Sequence, residues 1–281
     1  MIATIDGRRI GYDDSGGPGV PLVLLHGFPL DRSIWDEQLP ALSAVGARAI
    51  RVDLRGCGES EPSDGPALME ALAGDIAGLL DALHVERAAL VGHSIGGYVA
   101  LAFFRMYAER VAGLALVASH VAADALNSTN ADPAQRELAA TREELARRLE
   151  TEGTMDAAVE SYLPKYFAPH VYNENPQLVE RARAIMQRQN PRGSAELVRG
   201  MKERLDSHDL LEDVHVPALV VSGGEDVYLK PETLRTTAYA IDGAAFVQLQ
   251  RVGHLPMLEA PLEIADALAS FTQRVRGFKT A

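Results

Sequence analysis

Short, mostly apolar runs alternate along the chain with segments whose apolar residues recur at helical spacing. In chain order, the apolar runs are residues 21–25, 48–52, 88–91, 111–117, 218–222 and 245–249. Such short apolar runs are typical of strands that are buried on both faces of a parallel sheet. In residues 68–83, by contrast, Leu72, Ile76 and Leu79 fall on one face of a helix. This repeated alternation predicts a mostly parallel sheet with helices on both of its faces.

Two parts of the chain depart from the alternation. Residues 2–5 and 8–12 flank Asp6-Gly7, a tight-turn signal, so we predict an N-terminal β-hairpin. From about residue 122 to residue 213, charged helical segments replace the alternation. The helices predicted there are residues 132–148, 154–167, 176–188 and 194–205, and the alternation then returns with predicted helices at 231–239 and 261–274. The predicted organisation is a core of residues 1–121 and 214–281 with a helical insertion, residues 122–213.

One strand-to-helix junction carries a chemical signature. The apolar run 88–91 leads into Gly92-x-Ser94-x-Gly96, and a helical pattern follows at once. This spacing is the nucleophile-elbow pattern, in which a serine sits on a strained turn and its neighbours must be small. The following helix directs its N-terminal N–H groups at the serine, and we expect the N–H of Ile95 to lie where an oxyanion would form. The pattern therefore predicts a nucleophilic serine at position 94.

Composition narrows the function classes. The chain has 47% hydrophobic and 23% charged residues and a net charge of −12, so nucleic acid and anionic membranes are poor candidate partners. A single cysteine, Cys57, excludes an intramolecular disulfide and a thiolate zinc cluster. No basic-plus-apolar segment precedes the first strand, and no apolar run approaches the ~20 residues of a membrane span. We expect a cytoplasmic protein without a metal or other cofactor.

Four loops at the ends of predicted strands carry polar or backbone groups suited to catalysis. Phe28, Ser94, Asp226 and His254 each follow a different apolar run. The carboxyl ends of parallel strands form the usual ligand site, so these residues should converge. A serine needs a base to remove its proton, and the base needs a carboxylate to fix its tautomer. The chain order Ser94, Asp226, His254 matches the order of one hydrolase fold.

The sequence resembles the α/β-hydrolase fold enzymes over nearly the whole chain outside the insertion. The matching segments are HGFP (26–29), DLRGCGES (53–60), GHSIGG (92–97), SGGED (222–226) and GHLPMLEAP (253–261). The resemblance implies an α/β-hydrolase fold with a mostly parallel eight-stranded sheet, in which the insertion is a cap over the pocket. It implies Ser94 as nucleophile, His254 as base and Asp226 as its orienting acid. It also implies an oxyanion hole formed by the backbone N–H groups of Phe28 and Ile95.

Several residues compete with these assignments. Glu225 adjoins Asp226 and is the rival acid, and Pro231 comes one residue later than the resemblance suggests, so this loop can be distorted. His26 and His93 flank the site, where we expect them to support it rather than act as the base. The remaining histidines lack metal-ligand spacing.

The nucleophile also narrows the reaction. Haloalkane dehalogenases and epoxide hydrolases of this fold use an aspartate at the elbow, whereas this chain has Ser94. A serine with an N–H oxyanion hole suits attack on a carbonyl, so the leading hypothesis is hydrolysis of a carboxylic ester or lactone. The segment 26–40 resembles 3-oxoadipate enol-lactonases and cofactor-free haloperoxidase or perhydrolase esterases. Three alternatives stay open: cleavage of a C–C bond in a diketone, perhydrolysis, and a non-catalytic ligand receptor.

The insertion is predicted to line the substrate pocket. Its candidate substrate-binding residues are Tyr162, Tyr166, Phe167 and Met186, from a wider set that includes Met155 and Met201. Such residues at helical spacing are also ordinary core residues. Few charged residues accompany them, which favours a small, largely apolar acyl or alcohol group. The expected partner is a small-molecule substrate, and a homodimer stays open.

Overall fold

The computed structural model describes residues 1–123 and 133–278, with residues 133–136 described as backbone only. Its strands are β1 Ile2–Ile5, β2 Arg8–Asp14, β3 Pro21–Leu25, β4 Arg48–Val52, β5 Ala88–His93, β6 Val111–Val117, β7 Ala218–Gly223 and β8 Ala245–Leu249. They form one eight-stranded sheet in the order β1-β2-β4-β3-β5-β6-β7-β8. The pairs β1/β2 and β2/β4 are antiparallel, and the others are parallel. The predicted hairpin and mostly parallel sheet are confirmed.

Each face of the sheet is covered by its own hydrophobic cluster. Along β3, Val23 and Leu25 belong to one cluster, whereas Leu22 and Leu24 belong to the other. This alternation explains why the whole strand is apolar, because successive side chains point to opposite faces and both faces are buried. The core helices are α1 Leu39–Ala44, α2 Met69–Ala82, α3 Ile95–Tyr107, α9 Pro231–Tyr239, α10 Pro256–Glu259 and α11 Pro261–Gly277. A 3-10 helix, Arg32–Gln38, follows β3.

The segment between β6 and β7 is helical throughout most of its described length. Its helices are α4 Pro133–Glu152, α5 Asp156–Tyr162, α6 Val171–Glu174, α7 Pro176–Gln187 and α8 Pro191–Lys202. The predicted helix at 154–167 was too long: it ends at Tyr162 and is followed by the 3-10 turn Leu163–Lys165, where Pro164 lacks the N–H a helix interior needs. Helix α8 begins earlier than predicted because Asn190 caps the N–H of Gly193 at 2.9 Å. The predicted start at Asp132 lies outside the described residues.

The insertion packs into the same clusters that cover the sheet. Leu145 and Leu149 of α4 belong to the cluster that contains α2 and α3, and Ile185 of α7 belongs to the cluster around Trp35. The insertion is therefore held by apolar packing on both sides of the core. Among the described residues, no helix is long and apolar enough to cross a membrane.

Candidate active site

Ser94 lies on a strained turn between β5 and α3. Its backbone has φ 49° and ψ −116°, a conformation that costs free energy for a residue with a side chain. A Cβ atom at Gly92 would collide with the carbonyl oxygen of Gly96, and one at Gly97 would collide with the hydroxyl of Ser119. That hydroxyl donates a hydrogen bond of 2.8 Å to the carbonyl oxygen of Ser94. Small residues are therefore required on both sides of the serine, as the motif predicts.

The N-terminus of α3 places donors beside Ser94. Ile95 is the first residue of the helix, so its N–H has no carbonyl partner within the helix. Phe28 follows β3, and its side chain lines a cavity of ≈ 270 Å³ together with Ser94. The positive end of the helix dipole at Ile95 suits the stabilisation of a negative charge that develops beside Ser94.

His254 and Asp226 form a buried pair at the same cavity. His254 Nδ1 lies 2.8 Å from Asp226 Oδ2, and His254 lines the cavity with Ser94. The other carboxylate oxygen, Oδ1, accepts the N–H groups of Tyr228 at 2.8 Å and Leu229 at 3.1 Å, which fixes its orientation. The carboxylate holds the proton on Nδ1, so Nε2 is left as the basic nitrogen.

Ser94 and His254 line the same cavity without a hydrogen bond between their side chains. In the part of the chain that the structure describes, the Ser94 hydroxyl makes no hydrogen bond. Catalytic hydrogen bonds are often long in unliganded enzymes and tighten when substrate binds. The geometry thus pairs the carboxylate with the imidazole and leaves the hydroxyl open to the cavity.

The rival acid and the flanking histidines occupy other environments. Glu225 is exposed, whereas Asp226 is 5% exposed, so Asp226 is the carboxylate at the imidazole. His26 accepts the N–H of Leu54 at Nε2 over 3.0 Å, and its Nδ1 lies 2.8 Å from the carbonyl oxygen of Gly27. His93 Nε2 lies 2.8 Å from the carbonyl oxygen of His254. Burial lowers the pKa of both His26 and His93, so both rings are neutral supports of adjacent loops.

Two of the four predicted substrate-binding residues line the cavity. Tyr162 and Tyr166 do so, whereas the structure places Phe167 and Met186 in the hydrophobic core. Phe167 instead borders a separate surface groove, and Met186 is fully buried. Helical spacing marks the buried face of a segment but does not distinguish a face turned to a cavity from one turned to the core.

Other cavity residues were not identified from the sequence. They are Tyr98, His120, Ala123, Leu138, Arg142, Tyr228 and Leu229, together with Met201 from the wider set. Arg142 falls within the buried stripe of α4 that contains Ala139, Leu145 and Leu149. A charged residue on the apolar face of a helix is a signal that could have revealed it.

Aromatic side chains surround His254. The ring of Tyr166 stacks on that of His254 at 5.7 Å and 20°, and the ring of Tyr228 lies 5.1 Å from it. Phe28 and Tyr162 meet edge to face at 5.3 Å. This wall limits water around the imidazole and presents an apolar surface to the cavity.

No group of three side chains suited to a metal occurs among the described residues. His120 is the additional histidine at the cavity, and its Nε2 accepts a hydrogen bond from Arg204 at 3.0 Å. Burial, with the nearby charges of Arg204 and Arg142, lowers the pKa of His120 to about 3. His120 is therefore neutral near pH 7.

Comparison with solved structures gives relatives that span nearly the whole chain. An esterase from Thermogutta terrifontis, solved with malate bound, is 34% identical with a TM-score of 0.89 and covers 98% of both chains. The enol-lactonase from Burkholderia xenovorans LB400 is 29% identical with a TM-score of 0.85, over 97% of this chain and 100% of that chain.

Curated relatives match over differing shares of their length. A dihydrolipoyllysine-residue acetyltransferase component of an acetoin cleaving system from Pseudomonas putida is 30% identical over 97% of this chain and 69% of its own length. Epoxide hydrolase 3 from Siraitia grosvenorii is 42% identical over 36% of this chain and 32% of its own length. A model of the alpha/beta hydrolase family matches residues 22–267. Because that match covers most of the chain, including both loops of the buried pair, the protein belongs to the alpha/beta hydrolase family.

Proposed function

We propose that the protein is a serine hydrolase that cleaves a carboxylic ester or lactone. The observation that carries the proposal is the Asp226–His254 hydrogen bond at the cavity that Ser94 also lines. In this proposal Ser94 is the nucleophile, His254 the base and Asp226 its orienting acid. Phe28 and Ile95 contribute the oxyanion-hole N–H groups.

The proposed chemistry has two steps. The Ser94 oxygen attacks the carbonyl carbon while His254 Nε2 takes the hydroxyl proton, and the negative charge develops at the two N–H groups. The bond to the alcohol oxygen then breaks, and the imidazolium returns its proton to that oxygen. Water, deprotonated by His254, attacks the acyl-serine and releases the acid and the free serine. In a lactone, acid and alcohol remain in one product.

The helical insertion has a proposed role as the cap of the site. Tyr162, Tyr166 and Arg142 of the insertion line the same cavity as Ser94. They would contact the acyl or alcohol group, with Tyr162 and Tyr166 as the proposed substrate-binding residues. The lining is mostly aromatic and aliphatic, which supports a small substrate that is largely apolar near the reacting carbonyl.

The relatives support hydrolysis of an acyl bond. The two solved structures that span the chain at 34% and 29% identity are described as an esterase and an enol-lactonase. The epoxide hydrolase match is confined to about a third of the chain, and the elbow carries Ser94 in place of the aspartate expected of that activity.

The proposal is tested with an activated ester and a serine-directed probe. We expect the purified protein to hydrolyse p-nitrophenyl acetate and a fluorophosphonate to label Ser94. Ser94→Ala should lower the rate by ~10³-fold or more with the fold intact, because the acyl intermediate cannot form. Ser43→Ala removes an exposed serine on α1 and serves as the matched control.

The outcomes separate the proposal from its alternatives. No turnover and no label on Ser94 would favour a ligand receptor, and a Ser94→Ala variant with most of the wild-type rate would remove Ser94 from its role. A panel of short esters, lactones and a diketone, assayed with and without hydrogen peroxide, distinguishes ester cleavage from C–C cleavage and perhydrolysis.

A further inference from the structure

Tyr166 belongs to the insertion but contacts two loops of the core. It follows the 3-10 turn Leu163–Lys165 in the insertion and is 2% exposed. Its phenol hydroxyl donates a hydrogen bond to the carbonyl oxygen of Phe28. Its own carbonyl oxygen accepts the N–H of His254 at 2.8 Å, and its ring stacks on the imidazole. One residue of the insertion therefore touches two loops that follow different strands.

We propose that Tyr166 is a positioning residue that holds the Phe28 loop and the His254 loop in their active arrangement. This inference rests on the proposed function, because it assigns Tyr166 a task in the same site. It makes the docking of the insertion a condition for catalysis, since both loops depend on a residue that the core does not supply.

The hydrogen bond at Phe28 constrains the proposed oxyanion hole. The carbonyl and the N–H of Phe28 lie in two peptide planes that are joined by φ and ψ of Phe28, so holding the carbonyl restricts how far the N–H can turn. The Phe28 side chain is also held, by its edge-to-face contact with Tyr162 at 5.3 Å. Because the carbonyl and the ring are both held, the Phe28 N–H is restricted to a narrower range of directions before substrate arrives, and such preorganisation favours an oxyanion donor.

The phenol is suited to act as a permanent donor. Burial raises the pKa of Tyr166 well above its usual range, so the hydroxyl keeps its proton at any working pH. Because the carbonyl oxygen of Phe28 can only accept, the direction of this hydrogen bond does not change when His254 gains or loses its proton.

A second set of hydrogen bonds joins the same part of the insertion to the His254 loop. The carboxylate of Glu259 accepts the N–H of Ala168 at 2.9 Å and the N–H of Gly253 at 3.0 Å. A Cβ atom at Gly253 would crowd the N–H of Ala168, so the two backbones lie in direct contact. Removing the Tyr166 hydroxyl should therefore leave the insertion docked and disturb mainly the Phe28 loop.

The test is the variant Tyr166→Phe, which keeps the ring and removes the hydroxyl. We expect kcat for p-nitrophenyl butyrate to fall about tenfold, the effect of one lost hydrogen bond, while KM changes by less than about twofold. The affinity for a matched trifluoromethyl ketone, which forms an oxyanion on the serine, should fall by the same factor. A role in folding alone would not move kcat and this affinity together.

Tyr172→Phe is the matched control. The Tyr172 hydroxyl also donates to a backbone carbonyl in this segment, that of Leu163 at 2.7 Å, but Tyr172 does not line the catalytic cavity. We expect its kcat and its ketone affinity to stay within about twofold of the wild type. Unchanged kcat and ketone affinity in Tyr166→Phe, or an equal loss in both variants, would overturn the inference.

Hydrogen exchange measured by mass spectrometry decides the inference independently of turnover. Tyr166→Phe should speed exchange in the peptide that contains residues 26–30 and leave the central strand β5 unchanged. Unaltered exchange at 26–30 would overturn the inference even in an active enzyme. Faster exchange there in a protein whose wild type neither hydrolyses esters nor is labelled at Ser94 would support the positioning role and reject the proposed function.

Discussion

At the scale of single residues, the turn at Ser94 depends on small neighbouring residues. Ser94 has positive φ, and the turn brings the backbones of residues 92 and 96 together so closely that a methyl group does not fit between them. The strain is local, and the surrounding strand β5 and helix α3 hold it, since both are almost completely buried. The position of the half-buried Ser94 at the cavity results from this backbone geometry.

Gly92→Ala tests this steric argument. The added methyl group would meet the carbonyl oxygen of Gly96 and the N–H of Gly97, which are backbone atoms that cannot rotate away. We expect the free energy of unfolding, measured in urea, to fall by about 2 kcal/mol or more, and the labelling of Ser94 to be lost. Gly74→Ala in α2 is the control: an added methyl group there would have no atom within 4 Å, so we expect a gain of about 0.5–1 kcal/mol from helix propensity. Equal unfolding free energies for the two variants would contradict the argument.

At the scale of elements, a charged contact joins the insertion to the core. Arg188, at the end of α7, donates to both carboxylate oxygens of Asp31 at 2.8 Å each, and Gln189 donates to Oδ2 at 2.8 Å. Asp31 also caps the 3-10 helix Arg32–Gln38 through the N–H of Ser33. Burial alone would raise the pKa of Asp31, but the hydrogen bonds from Arg188, Ser33 and Gln189 hold it below its usual range.

The stabilisation from Asp31 should depend on pH. A carboxyl group whose pKa is lowered by folding stabilises the protein fully above its unfolded pKa, about 4, and this contribution is lost as pH falls toward the folded pKa. We expect Asp31→Asn to lower the unfolding free energy by about 1–3 kcal/mol at pH 7, with a smaller difference from wild type at pH 3. Arg188 is 52% exposed, which keeps the effect below that of a fully buried pair.

Urea midpoints at the two pH values measure this difference. Asp64→Asn is the control, because the Asp64 side chain is 89% exposed and its midpoint should match the wild type at both pH values. If Asp31→Asn lowered the unfolding free energy more at pH 3 than at pH 7, the ionised Asp31 carboxylate would not be the source of this stabilisation.

At the scale of the whole molecule, core and insertion share their hydrophobic clusters. Val159, Ile185 and Met186 of the insertion lie in the cluster that contains Trp35, and Leu197 of α8 lies in the cluster that contains α3. Neither cluster is complete without both parts of the chain. The insertion should therefore unfold with the core rather than as a separate domain.

A single unfolding transition is the expected consequence. Trp35 is the one tryptophan in the sequence and is fully buried in the core, so its fluorescence reports the core. Far-UV circular dichroism reports all helices, including those of the insertion. The two signals should change at the same urea concentration, as in a two-state transition. An earlier loss of helical signal would show that the insertion unfolds first.

The sequence by itself predicted the features that repeat locally. Buried strands are apolar on both faces, as in β3, and the elbow needs glycine at fixed spacing, so both leave a pattern that can be recognised in the sequence. The resemblance then supplied Asp226 and His254, whose side chains lie 2.8 Å apart although 28 residues separate them. Fold and candidate site were predictable because they depend on short segments with strong local rules.

The tertiary structure alone decided which insertion residues face the cavity. Tyr166 and Phe167 are adjacent and both aromatic, yet Tyr166 meets His254 and Phe167 packs in the core. Arg142 on α4 and Tyr228 after β7 join the cavity from distant parts of the chain. Helical spacing fixes which residues share a face, but the direction of that face depends on how α4 to α8 pack against the sheet, and this packing comes from many weak contacts distant in sequence.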